Sequence, residues 1–197
     1  MNGAVVTAFF AAAIPAFFTP GPNNLMLMTS SARFGLGRTV PHMIGVVLGF
    51  PLMVLLVGLG LGEVFDAFPV LKTVLKFVAA AYLLWMAWTL LGLKLHEAKS
   101  SDRPMRLYEA VLFQWVNPKA WAMAVSLVAL VVVGGPGHFW SIALLTLGCL
   151  FLAPFSCAVW MVGGQQLEAW LRRSRIERYL GAVLAVLVVV AVILFLV

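Results

Sequence analysis

Lys119 stands inside an apolar run, directly after Asn117 and Pro118. At a rise of about 1.5 Å per residue, a lysine about ten residues into a membrane span lies near the bilayer centre. Inserting its charge there costs about 2.5–3.5 kcal/mol, and a lysine at mid-span cannot snorkel far enough to reach water. Two chemistries fit. The ammonium either binds backbone carbonyls that Pro118 frees and pins a kink, or it meets a substrate carboxylate or cycles its proton. An ionisable group within a span points to function. His42 is the other titratable candidate, at the cytoplasmic start of the second apolar stretch. It reads either as an interfacial polar residue or as a proton carrier.

Loose backbone is expected at the same depth. Thr19-Pro20-Gly21-Pro22-Asn23-Asn24 interrupts the first apolar stretch. Pro20 and Pro22 lack the N–H groups that the Ala16 and Phe18 carbonyls need. Thr19 and Gly21 precede prolines and are pushed away from helical dihedrals. Pro118 likewise frees the Gln114 carbonyl and extends Asn117. In hydrocarbon such backbone is tolerated only where protein buries it or where it lines a watery cavity. Broken helices near mid-membrane build transport sites, and a kink without a ligand role is the alternative. The candidate binding set is Pro20, Gly21, Pro22, Asn23, Asn24, Asn117, Pro118 and Lys119. Carbonyls and half-helix ends would face a zwitterion, the three asparagines would hydrogen-bond it, and Lys119 would meet its carboxylate. Lys119 and His42 are the proton-coupling candidates. No catalytic residue, metal ligand or cofactor is expected.

Those residues must be positioned by membrane-spanning helices. Hydrophobic residues make up 63% of the 197 positions and charged residues 10%, against about a quarter charged in soluble domains. Six apolar stretches have the length of a span, about 20 residues: 4–32, 40–61, 71–93, 110–133, 139–162 and 179–197. They are continuous rather than alternating, which argues against a barrel. No basic residue precedes the first stretch, so it is expected to be a retained span and not a cleaved signal. Arg33, Arg38, Lys94, Lys99, Arg103, Arg106, Arg172, Arg173, Arg175 and Arg178 fall in the odd-numbered loops, with only Lys72 and Lys76 in the others. The positive-inside rule therefore places both termini outside. The net charge of +6 reports this topology rather than a nucleic-acid partner, and the Arg172–Arg178 cluster suits anionic headgroups of membrane lipid.

With three spans per half, a duplicated half enters the membrane from the opposite side. Aligning Pro22 with Pro118 pairs Phe17 with Phe113 and Ser30 with Ser126. Each half opens on a proline-broken span, as expected for a midplane site between inverted repeats. The fold expected is an all-α integral membrane protein of six transmembrane helices in two inverted three-helix repeats, with spans one and four broken at their proline motifs. The repeats cover residues 1–98 and 110–197, with a cytoplasmic loop over 94–109, and 1–197 form a single transmembrane transporter domain. Gly45 and Gly49 have the spacing that lets two helices approach closely, and Pro51 adds a kink.

The Pro20–Asn24 segment, the Gly35-Leu36-Gly37 turn, Gly45, Gly49 and the Asn117-Pro118-Lys119-Ala120 segment together resemble the LysE/RhtB family of amino-acid exporters. The resemblance covers the whole chain. It implies a transporter of the cytoplasmic (inner) membrane, not an enzyme, that exports an amino acid or amino-acid derivative by proton antiport. Many members of that family carry an acidic residue in the fifth span. None occurs here between Phe139 and Leu167, where Pro154 offers a third break instead.

Other readings are a membrane thiol-redox carrier, a metal-ion exporter on the same fold and an intramembrane enzyme. A redox carrier needs cysteines facing each other across the halves, yet Cys149 and Cys157 share the fifth stretch. At eight residues apart they are separated by about 12 Å along a helix, too far for one disulfide. A metal exporter needs buried carboxylates or histidines, and the sequence has no metalloprotease or nucleophile-elbow motif. Trp115 and Trp121 flank the second break and could line a pocket. The expected partners are a small-molecule substrate, protons, membrane lipid and, in a homo-oligomer, further copies of the chain.

Overall fold

The computed structural model describes residues 3–61, 103–132, 135–174 and 179–196, with positions 70, 74, 77, 81, 84, 85, 87, 88 and 91 between them. Its first apolar stretch is two helices, α1 (Gly3–Phe18) and α2 (Pro22–Phe34), bent by 48° at the proline motif. Pro22 opens α2, where a helix needs no N–H. Gly35 then turns the chain at a φ of 82°, a left-handed conformation natural to glycine. Next comes α3 (Leu36–Leu56), which runs through Pro41 and Pro51 and ends in a π-helical turn, Val57–Leu61.

The second half begins with α4 (Leu107–Val116) and α5 (Pro118–Val131), which are separated at Asn117. At the start of α4 the Arg103 guanidinium donates to both Glu109 oxygens, at 2.7 and 2.6 Å, and Arg106 N–H donates to Glu109 at 2.8 Å. The Arg103 hydrogen bond, with this backbone bond behind it, holds the Glu109 carboxyl down at about 2. After a short 3₁₀ turn come α6 (His138–Arg173) and α7 (Leu180–Leu196). Among the described residues there is no strand.

α3 with its extension and α6 are each long and apolar enough to cross a membrane, and the α1–α2 pair counts as a third span if the bent pair crosses as one. The third predicted span lies mostly outside the described residues, although its described positions are helical. Lys72, Lys76, Lys94, Lys99, Arg175 and Arg178 also lie outside them.

Two expectations for the fifth stretch need correction. α6 runs unbroken through Pro154, so no third break forms there. Ser156, two residues on, is anchored to the Phe17 carbonyl, which fixes the helix against α1. The helix also continues past Val162 to Arg173. Gly164 lies so close to the Met28 carbonyl and Ser31 Oγ that a Cβ there would clash with both, and Ser31 Oγ donates to the Met161 carbonyl at 2.7 Å. Packing on α2 therefore carries α6 beyond its apolar run.

In lipid, helices associate through close packing rather than through expulsion of water. Gly45 lies directly on the Leu107 carbonyl and Ala110, and Gly49 on Val111 and Gln114. The glycine pair thus seats α3 on α4, in the role its spacing predicts. The main core joins α1, α3, α5 and α6 through residues such as Phe9, Phe17, Phe50, Trp121 and Leu145.

Candidate functional site

Two side chains from the second half hold the first break. Ser156 Oγ donates to the Phe17 carbonyl at 2.7 Å. Lys119 Nζ donates to the Thr19 carbonyl at 2.8 Å, to Thr19 Oγ1 at 2.9 Å and to the Pro20 carbonyl at 3.3 Å. Asn24 Nδ2 donates to Phe17 and Thr19 carbonyls, both at 2.9 Å, and Thr19 Oγ1 donates to the Ala16 carbonyl at 3.2 Å. Hydrogen bonds from an ammonium are roughly twice as strong as neutral ones. Of the two chemistries open to Lys119, carbonyl binding is the one seen, but the carbonyls belong to the opposite half. Gly21 is extended (φ −173°), so its conformation does not require glycine. A Cβ there would meet the Lys119 Cδ at 2.5 Å, so an added methyl would displace the lysine stem.

The second break is satisfied from its own residues. Asn117 is extended, as a residue before proline must be. Its N–H donates to the Gln114 carbonyl at 3.2 Å, the group that Pro118 cannot serve. Its Oδ1 accepts from Lys119 N–H at 3.2 Å and so caps α5. Trp121 Nε1 donates to the Trp115 carbonyl at 2.9 Å, with the two rings edge to face at 5.7 Å. These tryptophans brace the break and do not line the cavity beside it.

A cavity of about 50 Å³ lies where the two breaks meet, lined by Phe17, Gly21, Asn23, Asn117, Lys119 and Cys157 among others. It has room for a few waters at roughly 10–15 Å³ each. Asn23 Nδ2 donates to Gln114 Oε1 at 2.8 Å. Asn23 Oδ1 is buried without a hydrogen-bond partner, an unusual state that calls for a water or ligand partner.

Of the residues singled out by sequence, Gly21, Asn23, Asn24, Asn117 and Lys119 line the cavity. Pro20 offers its carbonyl to Lys119, while Pro22 and Pro118 open α2 and α5. His42 does not line it. It is 1% exposed, with both ring nitrogens unpartnered, so the interfacial reading gives way to a buried one. Both cysteines are free and buried.

Thr19, Gln114 and Ser156 were not among the predicted site residues. Thr19 stands inside the first proline motif, where a hydroxyl carries no signal of its own beside the prolines. Gln114 and Ser156 carried one signal, a polar side chain within an apolar run.

The model of the LysE type translocator family matches residues 14–197. The chain belongs to the LysE type translocator family. Similar proteins include the cysteine/O-acetylserine efflux protein of Salmonella typhi, 26% identical over 193 residues and covering 96% of each chain. The protein of that name in Escherichia coli O1:K1 / APEC is 25% identical over 192 residues, again covering 96% of each. No solved structure matches the chain. As a LysE type translocator the chain is a helical membrane transporter of the efflux type and not an enzyme.

Proposed function

We propose that this translocator exports a small neutral amino acid or amino-acid derivative from the cytoplasm across the inner membrane, by alternating access and in exchange for protons. The observation that carries this reading is the cavity where both proline breaks meet, with Lys119 of one half reaching the carbonyls of the other. The likeness to cysteine/O-acetylserine efflux proteins supports an amino-acid substrate of that size. In this reading the chain has six spans in two inverted repeats, with both termini outside. The halves open in turn to admit and release the substrate.

The substrate's carboxylate meets Lys119 and its polar groups face Asn23, Asn24 and Asn117 beside the open backbone at Pro20, Gly21, Pro22 and Pro118. Asn23 Oδ1 is the acceptor left open for it. Proton coupling runs through Lys119, which lines the cavity, and His42, one helical turn before the cavity residue Val46.

Inside-out vesicles offered labelled L-cysteine, O-acetyl-L-serine and L-threonine, with and without an imposed pH gradient, test this. Uptake driven by the gradient and lost in Lys119→Ala is the expected result. Uptake indifferent to the gradient removes the proton, and no uptake of any amino acid removes the export reading.

A further inference from the structure

Lys119 Nζ is surrounded by three acceptors, the Thr19 carbonyl, Thr19 Oγ1 and the Pro20 carbonyl, all within 3.3 Å. A lysine ammonium has three N–H donors and no acceptor. Three oxygens form a cup for a primary ammonium, one of them, the Thr19 carbonyl, shared with Asn24 Nδ2 at 2.9 Å, and the break itself creates it. Thr19 N–H still donates to the Pro15 carbonyl at 2.9 Å, but no backbone N–H among the described residues serves the Thr19 or Pro20 carbonyl, and Gly21 leaves the space through which the lysine stem enters.

We propose that the Thr19–Pro20 cup is the binding site for the substrate's α-ammonium, and that Lys119 is its tethered occupant in the substrate-free protein. The substrate's ammonium enters the cup and displaces Lys119, and the displaced ammonium takes the substrate's carboxylate. The exchange conserves charge: one cation leaves the cup, one enters, and the carboxylate pairs with the one that left. A simple amine would eject Lys119 with no anion to receive it. A carboxylate with a blocked amine could not empty the cup. The site therefore selects solutes carrying a free ammonium and a carboxylate on neighbouring atoms. The identity of the arriving solute rests on the export reading, whereas the cup is tested apart from transport.

Purified protein is melted in detergent with methylammonium or with tetramethylammonium at equal concentration. Lys119→Ala is expected to melt below the wild type. Methylammonium should raise its Tm in a saturable way, and tetramethylammonium, which has no N–H, should leave it unchanged. The wild type, its cup already filled, should need about tenfold more methylammonium for the same shift. Adding Thr19→Val to Lys119→Ala should weaken the methylammonium response about fivefold, through loss of one acceptor. No response in Lys119→Ala, or an equal response to both salts, overturns the cup.

If Lys119→Ala does not fold, it and Lys119→Met are expressed with methylammonium in the medium. Recovery of folded protein supports the cup and failure of recovery overturns it. In proteoliposomes, N-acetyl-L-cysteine should not compete with labelled L-cysteine, whereas L-serine should. Equal competition overturns the required exchange. Absence of all amino-acid transport removes the export reading and leaves the melting result standing.

Discussion

Asn23 Nδ2 donates to Gln114 Oε1 at 2.8 Å, joining the first turn after the first proline break to the last turn before the second. Gln114 is fully buried and donates its own Nε2 to the Ala110 carbonyl at 2.9 Å. The pair therefore links the start of α2 to the end of α4 at the wall of the cavity. Removing one partner of a buried hydrogen bond costs about 1–3 kcal/mol, because the other is left unsatisfied. Gln114→Leu should destabilise the protein by that amount in denaturant unfolding in detergent. In a double-mutant cycle with Asn23→Leu, the pair should show coupling of about 0.5–1.5 kcal/mol. Strict additivity would mean that the bond does not join the halves.

Gly21 acts through space alone, since its extended backbone suits any residue. A methyl group there would meet the Lys119 stem and push the ammonium out of its carbonyl cup. Gly21→Ala should therefore fold yet lose at least about tenfold in transport rate, equivalent to about 1.4 kcal/mol. Gly37→Ala is the control, because nothing lies within 4 Å of the added carbon. Equal transport by the two variants, measured in proteoliposomes after matching the amount of folded protein, would contradict the packing argument.

The Arg103–Glu109 pair at the start of α4 gives a pH dependence with a definite sign. The carboxyl lies at about 2 rather than at 4.5, chiefly because Arg103 donates to it. Its contribution to stability is complete above about pH 4.5 and is lost as pH falls towards 2. Wild-type Tm should therefore fall faster between pH 4.5 and 2 than that of Glu109→Gln, and the two curves should converge at the acid end. A constant offset between the curves would show that the pair contributes nothing through ionisation. Both side chains are partly exposed, so added salt should shrink the difference.

Both breaks, the packing role of Gly45 and Gly49 and the membrane class were legible in the sequence because each follows from a local fact. A proline has no N–H wherever it stands, and small residues four apart leave a groove on any helix. The partners were not legible. Lys119 and Thr19 are 100 residues apart, and Ser156 and Phe17 are 139 apart, so only the folded chain decides which freed carbonyl each donor meets. Pro154 carried the same local signal as Pro22 and produced no break, since packing of α6 on its neighbours outweighed it. The burial of His42 is likewise a property of how helices pack, which its position along its own helix does not reveal.

Cys149 and Cys157 share one helix and both are free, yet their surroundings differ. Cys149 is packed in the core with Phe9 and Leu145, whereas Cys157 lines the cavity beside Lys119. Thiol reactivity follows access and the local charge environment. If the cavity opens to water during transport, Cys157 alone should become reachable. In single-cysteine variants, a small neutral methanethiosulfonate should modify Cys157 at least about fivefold faster than Cys149. O-acetyl-L-serine, itself without a thiol, should slow that modification by occupying the cavity and leave Cys149 unchanged. Equal rates at the two positions would mean that the cavity stays closed to solvent, and the alternating-access reading would lose its entry route.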